Sequence, residues 1–249
     1  MLENSNVATR LPAHRRPPIA FAHRGARAHA PENTLEAFAL ALRLGATGLE
    51  SDVWLTADGE AVLDHDGLVG RRMGRRRRIA EVERSALPAH MPTLDDLYAT
   101  CGTDFELSLD VKDPAATERV LAVARVAGGG ALGRLWLCHP DWKVVAGWRD
   151  ASDEVRLVDS TRLGKIKEGP ERRAAALAKV GIDAVNMHNV DWTGGLVTLF
   201  HRFDVLAFAW DAQLPRVLGE LLDMGIDAVY SDHVDRMVDA LRVAYPDPA

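Results

Sequence analysis

The sequence predicts a single α/β domain with the architecture of a closed (β/α)8 barrel, the TIM barrel. Its 249 residues suit one domain of this class, and a hydrophobic content of 47% is enough for one large core. Short apolar runs alternate along the chain with stretches of helical periodicity. About eight such runs occur, and this alternation is typical of parallel strands joined by helical crossovers.

The predicted elements begin near Ile19, because the residues before it are polar and end in a basic stretch that contains prolines. We therefore expect a flexible N-terminal leader over residues 1–17 and the barrel domain over residues 18–249. The predicted strands cover, in order, residues 19–23, 48–54, 105–111, 135–138, 155–158, 184–187, 205–209 and 228–230. The clearest predicted helices cover residues 34–44, 115–126 and 214–224.

The segment 71–92 interrupts this alternation and predicts a small insertion after the second strand region. It has few apolar residues, and it carries a cluster of arginines at positions 71, 72, 75, 76, 77 and 78. Such a cluster is either a solvated surface or a rim that attracts phosphate-bearing substrates. The sequence leaves both interpretations open.

Composition narrows the classes of function. A net charge of -6 argues against a general affinity for nucleic acid or anionic membranes. The two cysteines, Cys101 and Cys138, lack the spacing of a disulfide framework or a cysteine zinc site. No apolar run has the length of a signal core or a membrane span. We expect a soluble, cytoplasmic protein without a stable membrane anchor, and the oligomeric state stays open.

Polar residues at the ends of the predicted strands are the candidates for chemistry, because barrels of this type place their active site there. His23 and Arg24 close the first strand, and the Arg24 guanidinium can donate to phosphate oxygens. Glu50 and Asp52 lie two residues apart on the second strand, so both carboxylates share one face. If that face is internal, the pair predicts a hard divalent cation such as Mg²⁺ or Ca²⁺. Two solvated, outward-facing carboxylates are the alternative.

The next strand repeats this spacing with Asp110 and Lys112. Asp110 can complete the metal site. Lys112 can bind a phosphate, or it can form a structural ion pair with Glu50 or Asp52. After the second strand, His65 offers a second imidazole that titrates near neutral pH. Of two histidines beside a carboxylate pair, one can act as a general base that removes a proton from a nucleophile. The other can act as a general acid that protonates a leaving oxygen.

Taken together, the order and spacing of these residues resemble the glycerophosphodiester phosphodiesterase family. The resemblance rests on His23-Arg24-Gly25, Pro31-Glu32-Asn33-Thr34, Ala37-Phe38, Gly45-Ala46, Glu50, Asp52-Val53, Thr56, Asp58-Gly59 and His65-Asp66. It continues less tightly through Met91-Pro92-Thr93-Leu94, Asp110-Val111-Lys112, Trp210 and residues 225–232. Nearly everything after residue 18 is covered.

The resemblance implies a TIM barrel that hydrolyses a small-molecule glycerophosphodiester to glycerol 3-phosphate and an alcohol. It implies one divalent cation, Mg²⁺ or Ca²⁺, with Mn²⁺ as a further candidate. The implied residues are His23 and His65 as the acid and base, Glu50, Asp52 and Asp110 at the metal, and Arg24 and Lys112 at the phosphate. The implied route is attack by the glycerol 2-hydroxyl, with one histidine as base and the other as acid, followed by hydrolysis of a cyclic phosphate with the roles reversed.

Two positions depart from the family pattern. The family usually has Glu where this chain has Asp110, and the shorter side chain puts direct metal ligation in doubt. The family commonly has Trp-Thr-Val-Asn where this chain has residues 210–213, Trp-Asp-Ala-Gln, which adds a carboxylate near the pocket. Trp210 and His188 are candidates for the substrate pocket, with core or structural roles as the alternatives.

Other functions remain as alternatives. A lysophospholipase D-like or phospholipase C-like enzyme would use similar chemistry on a lipid substrate, and it should show an apolar loop or an amphipathic anchor. A barrel that only binds a phosphate ligand should have lost its acid and base residues. Because His23 and His65 are both present, the sequence favours an enzyme.

Overall fold

The computed structural model describes residues 10–70 and 76–246. Its strands are, in chain order, β1 (Ile19–Ala22), β2 (Gly48–Leu55), β3 (Ala61–Leu63), β4 (Leu68–Val69), β5 (Arg77–Arg78), β6 (Glu106–Val111), β7 (Leu135–His139), β8 (Arg156–Ser160), β9 (Ala184–His188), β10 (Leu206–Trp210) and β11 (Ala228–Ser231). Its α-helices are α1 (Leu35–Arg43), α2 (Leu94–Cys101), α3 (Thr117–Ala127), α4 (Trp142–Gly147), α5 (Pro170–Lys179), α6 (Gly194–His201), α7 (Pro215–Asp223) and α8 (Val234–Ala244). None of the helices in these two ranges is long and apolar enough to cross a bilayer.

Eight of these strands form a closed parallel barrel. Their order around the barrel is β1, β2, β6, β7, β8, β9, β10 and β11, and closure follows because β1 pairs in parallel with both β2 and β11. The predicted (β/α)8 barrel is therefore confirmed. The short strand β3 is additional: it pairs antiparallel with the end of β2, where Val53 lies opposite Leu63.

The period of two along the strands divides the core into two layers. On β1, Phe21 faces the barrel interior and stacks on Tyr230 of β11, with ring centroids 4.6 Å apart, while Ala20 belongs to the layer between strands and helices. Phe208 and Trp136 complete this interior cluster, with centroids 5.1 Å apart. The aromatic filling closes the inside of the barrel and leaves its carboxyl end to polar side chains.

Helix boundaries follow from capping. The predicted helix 34–44 begins one residue later, because the Thr34 hydroxyl accepts a hydrogen bond from the Ala37 N–H at 3.2 Å and acts as the N-cap. The first turn of α2 is fixed in the same way by a capping box between Thr93 and Asp96. Each cap satisfies backbone N–H groups that a helix start leaves unpaired.

The predicted insertion lies between β2 and α2. It contains β5, which pairs antiparallel with β4 just before it, and most of a small apolar cluster around Ile79 and Met91. Of the predicted arginine cluster, positions 71, 72 and 75 lie outside the described residues. The remaining arginines are exposed, and Arg76 pairs with Asp66 at 3.3 Å. For this described portion of the cluster, the solvated-surface interpretation fits.

Residues 10–17 differ from the loose leader that composition predicted over residues 1–17, and residues 1–9 lie outside the described residues. The Leu11 N–H donates to the Asp223 carbonyl at 2.9 Å. The N–H groups of His14 and Arg15 donate to one oxygen of the Asp227 carboxylate at 2.8 and 2.9 Å. Because Asp227 is fully buried, it holds this segment against the amino end of the barrel. The polar composition of these N-terminal residues gave no sign that the Asp227 carboxylate would accept their hydrogen bonds.

Candidate active site

The candidate site is a cavity of about 380 Å³ at the carboxyl end of the barrel. Eight of the residues singled out from the sequence line it: His23, Arg24, Glu50, Asp52, His65, Asp110, Lys112 and Trp210. The strands bring them together because all eight barrel strands point the same way and end at this face. Only His188, among the predicted site residues, is absent from the lining.

A sharp turn presents His23 and Arg24 to the cavity after β1. Arg24 adopts a left-handed backbone conformation with φ of 52°, and Gly25 follows with φ of 79°. A Cβ atom on Gly25 would lie 2.8 Å from Ala37, so glycine is required here both by the backbone and by the approach of α1. The turn aims the Arg24 N–H at Glu50, whose Oε2 accepts at 2.8 Å.

His23 lies between two carboxylates. Its Nδ1 is 2.6 Å from Asp232 Oδ1, and its Nε2 is 3.8 Å from Glu50 Oε2. Burial lowers the pKa of His23, but Glu50 and the hydrogen bond to Asp232 raise it, and the net shift is upward. For Asp232, burial raises the pKa, but the bond to His23 outweighs burial and the net shift is downward. Asp232 therefore orients the ring so that Nε2 faces the site.

Three acidic residues form the centre of the site. Glu50 and Asp52 share one face of β2, and Asp110 lies opposite Asp52 in the register of β6. One carboxylate oxygen of each lies within 4.8 Å of the others. Glu50 and Asp52 are only 5% and 2% exposed, so the outward-facing alternative is wrong.

The ionised carboxylates of this acidic group need a nearby positive charge to offset their burial and mutual repulsion. Burial raises the pKa of Glu50 to about 7, with His23 lowering it and Asp52 raising it. Burial likewise raises the pKa of Asp52, and its Oδ2 atom is buried without a hydrogen-bond partner. An oxygen-only donor set with an unpartnered buried oxygen fits a hard divalent cation.

Two cations already reach into the acidic group. Lys112 Nζ lies 2.8 Å from Asp52 Oδ1 and 3.0 Å from Asp110 Oδ2, so the ion pair considered for this lysine is present. Burial lowers the pKa of Lys112, but the two carboxylates raise it by more, which keeps the ammonium charged. Arg24 Nε lies 3.6 Å from Asp52 Oδ2 and has no hydrogen-bond partner although it is buried. Both cations remain at the cavity wall, where a phosphate can contact them.

His65 approaches the cavity from outside the barrel sheet. Strand β3 ends at Leu63, because Asp64 accepts a hydrogen bond from the Gly67 N–H at 2.8 Å and closes a turn. His65 lies in that turn with 42% of its side chain exposed. Its Nδ1 is 3.0 Å from Asp66 Oδ1, which leaves Nε2 free of partners among the described residues.

His188 is absent from the cavity lining, so of the two roles considered for it the structural one fits. Its ring packs edge-on against Trp210, with centroids 4.4 Å apart. Its Nδ1 accepts from the Val190 N–H, which assigns the proton to Nε2, and Nε2 lies 3.1 Å from Asp211 Oδ2. His188 therefore supports Trp210 and Asp211, and these two line the cavity.

Several lining residues were not singled out from the sequence. Asp232 belongs to the late matching segment 225–232, but no spacing rule linked it to His23, from which it is 209 positions distant. Arg162 and Lys165 follow β8 directly, so the rule that strand ends carry function could have identified them. Gln213 accepts from the Asp232 N–H at 2.9 Å and fixes that loop.

Comparison with known proteins agrees with this geometry. A Mycobacterium tuberculosis protein named "Probable glycerophosphodiester phosphodiesterase 2" is 28% identical over 262 aligned positions, which cover 90% of each chain. A glycerophosphodiester phosphodiesterase from Thermotoga maritima shares the fold with a TM-score of 0.76 and 22% identity, over 91% of this chain and 99% of that one. An Oleispira antarctica phosphodiesterase, solved with the product sn-glycerol-3-phosphate, has a TM-score of 0.76 and 20% identity, over 90% of this chain and 96% of that one.

The family assignment rests on the extent of one further match. Residues 23–236 match the model of the glycerophosphoryl diester phosphodiesterase family. This range begins at His23, and it includes the acidic group and Asp232. Because the match takes in most of the chain and the whole candidate site, the chain belongs to the glycerophosphoryl diester phosphodiesterase family.

Proposed function

We propose that this enzyme hydrolyses glycerophosphodiesters to glycerol 3-phosphate and an alcohol with the help of one divalent cation. The observation that carries the proposal is the position of His23, whose Nε2 lies 3.8 Å from Glu50 at the edge of the buried acidic group. A base thus borders the place where a cation would hold the phosphate. The Oleispira antarctica phosphodiesterase was solved with sn-glycerol-3-phosphate, which is the product proposed here.

Glu50, Asp52 and Asp110 would hold the cation, with Mg²⁺, Ca²⁺ and Mn²⁺ as the candidates. When bound, such a cation neutralises charge on the phosphoryl group and polarises it towards attack. The unpartnered Oδ2 of Asp52 supports this assignment, because a buried carboxylate oxygen without a donor is costly. Arg24 and Lys112 would contact the remaining phosphate oxygens.

His23 and His65 would share the proton transfers. In the first step, His23 Nε2 takes the proton of the glycerol 2-hydroxyl, whose oxygen attacks phosphorus as the bond to the alcohol oxygen breaks. His65 gives its proton to that leaving oxygen. In the second step the roles reverse: His65 accepts a proton from water, the water oxygen opens the cyclic phosphate, and His23 returns its proton to the glycerol 2-oxygen. Asp232 holds His23 in the required orientation.

The direct test is release of glycerol 3-phosphate from a panel of glycerophosphodiesters, first with EDTA and then with each of the three cations. Product that depends on added cation would support the proposal. A lack of glycerol 3-phosphate with every cation would contradict it. Hydrolysis of a lysophospholipid without hydrolysis of any glycerophosphodiester would favour the lipid-directed alternative.

A cytoplasmic location and a place in lipid or glycerol metabolism are part of the proposal. Cell fractionation tests the location.

A further inference from the structure

Two cations line the cavity on the side opposite His23. Arg162 and Lys165 belong to the loop between β8 and α5. In the barrel order, β8 lies four strands from β1 in both directions, so this loop is across the cavity from His23. Neither residue has a part in the chemistry proposed for the phosphate.

Arg162 is held in place before any ligand binds. Its Nε lies 2.6 Å from Asp191 Oδ2, and its guanidinium carbon lies 5.6 Å from the centroid of the Trp210 ring. Asp191 also accepts from the Leu163 N–H at 3.2 Å, which fixes the backbone of the loop. The Nη1 group has no acceptor among the described residues, so it is free to donate to a ligand in the cavity.

Lys165 supplies a second cation from the same loop. Its N–H donates to the Arg162 carbonyl at 2.8 Å, and its ammonium group forms no ion pair within residues 10–70 and 76–246. Arg24 and Lys112 differ from Lys165, because each of them is paired with carboxylates. Arg24 pairs with Glu32 at 3.1 Å, and Lys112 pairs with two aspartates.

Asp211 also lines the cavity, and its contacts limit its use for a cationic ligand. Its Oδ2 is bonded to His188 Nε2, and its Oδ1 accepts from Gln213 Nε2 at 3.2 Å. Both oxygens therefore have donors already. Arg162 and Lys165 also line the cavity, and among the described residues neither the Arg162 Nη1 group nor the Lys165 ammonium has a partner.

We propose that the alcohol part of the substrate carries an anionic group, a carboxylate or a phosphate, that binds Arg162 and Lys165. The inference rests on the proposed function and specifies its substrate class. The glycerol phosphate end of the substrate would occupy the side of His23 and the acidic group, and the anion on the alcohol would lie across the cavity. A charge-assisted hydrogen bond to such an anion strengthens binding by about tenfold or more.

The test uses glycerophosphodiesters of two-carbon alcohols that differ mainly in charge: glycolate and ethylene glycol monophosphate as anionic alcohols, ethylene glycol as neutral and ethanolamine as cationic. The measured quantity is kcat/KM for each ester, with the cation that supports turnover present. We expect kcat/KM for the preferred anionic ester to exceed that for the neutral ester by about 100-fold, roughly tenfold for each of the two cations. Whether glycolate or the monophosphate is preferred identifies the anion.

The Lys165→Gln and Lys165→Glu variants test the residue while leaving the Arg162–Asp191 pair intact. We expect the ratio of kcat/KM for the anionic over the neutral ester to fall about tenfold in Lys165→Gln and further in Lys165→Glu, which should also gain on the ethanolamine ester. Lys179→Gln is the matched control. Lys179 is exposed in the last turn of α5 and does not line the cavity, so its ratio should equal that of the unmodified protein.

The outcomes separate this inference from the function on which it rests. If the neutral ester is hydrolysed and neither anionic ester is preferred, the inference is wrong and the proposed function stands. The same holds if the ratio in Lys165→Glu matches that of Lys179→Gln. If no ester of the series is hydrolysed with any cation, both proposals fail together.

Discussion

His23 lies between two carboxylates of the candidate site, one facing each of its ring nitrogens. The identity of the residue and its place at the end of a strand could be read from the sequence. Its partner could not, because Asp232 follows the last barrel strand and meets His23 only when β11 pairs with β1. The orientation of the base is therefore a property of the closed barrel.

Loss of the acid–base pair should abolish turnover without unfolding the protein. We expect kcat of His23→Gln and His65→Gln to fall by about 10²- to 10⁴-fold, the usual contribution of a general acid or base. Steady-state kinetics at saturating cation would measure this, with circular dichroism to verify the fold. His90→Gln, at an exposed position outside the cavity, is the control. Near-normal rates in either active-site variant would contradict the assigned roles.

Asp232→Asn should move the pH dependence of the reaction. His23 must be neutral to act as a base, and its pKa is raised, so kcat/KM should fall as the pH drops through a value above 6.5. Without the Asp232 carboxylate the imidazolium loses stabilisation, its pKa falls, and this acid limb should move to lower pH. A pH profile of kcat/KM tests this. The exposed Asp235→Asn is the control, and a lower rate with an unmoved limb would assign Asp232 a structural role alone.

Asp110→Glu should tighten binding of the divalent cation. Asp110 is bonded to Lys112 and is one methylene shorter than the family's usual residue, so a glutamate should reach the cation more directly. Titration calorimetry with Mg²⁺ and Mn²⁺ would measure the affinity. Asp104→Glu is the control, because its side chain is 99% exposed and distant from the cavity lining. Equal affinities in the two variants would contradict a ligand role for Asp110.

At the scale of elements, short apolar runs that alternate with stretches of helical periodicity identified the strands that carry the site. Glu50 and Asp52 share a face because strand geometry repeats every two residues, and no long-range information is needed to see this. Element ends were predicted less well. The predicted helix 34–44 covers only Leu35–Arg43, because the Thr34 side chain accepts a hydrogen bond from the Ala37 N–H and caps the helix.

Gly48 shows how closely an element can be fitted to its neighbour. A Cβ at this position of β2 would lie 2.5 Å from the ring of Phe21, which fills the barrel interior under the site. We expect Gly48→Ala to lower the free energy of unfolding by about 1–3 kcal/mol. Gly219→Ala, in the middle of α7 with no atom within 4 Å of the new Cβ, should instead raise it by about 0.5–1 kcal/mol. Urea denaturation would measure both, and equal effects would contradict the steric argument.

At the scale of the whole molecule, the carboxyl end of the barrel holds the cavity and the amino end is covered by the N-terminal segment. The buried Asp227 joins the two parts of the chain at that end: one oxygen accepts from the N–H groups of His14 and Arg15, and the other accepts from His201 Nε2 at 2.7 Å. The contacts of Asp227 stabilise the amino end of the barrel, and the candidate site lies at the opposite, carboxyl end.

Asp227→Asn should therefore destabilise the fold far more than an exposed change nearby. An amide keeps one acceptor oxygen, so buried donors lose their partner, and we expect a loss of at least about 2 kcal/mol in the free energy of unfolding. Asp223→Asn removes only a partly exposed ion pair with Arg10 and should cost less than about 1 kcal/mol. Thermal and urea denaturation would compare the two variants. Similar losses would show that Asp227 does not anchor the segment.

The sequence by itself determined the barrel, the strands that carry the acidic group and eight of the residues that line the cavity, because each depends on local periodicity and on motifs within one element. Only the tertiary structure decided that Asp232 orients His23, that His188 lies behind Trp210 and that the N-terminal segment is bound at the barrel floor. These contacts join residues distant in sequence. Barrel closure creates them by placing β1 between β2 and β11, and side-chain periodicity carries no information about which ends will meet.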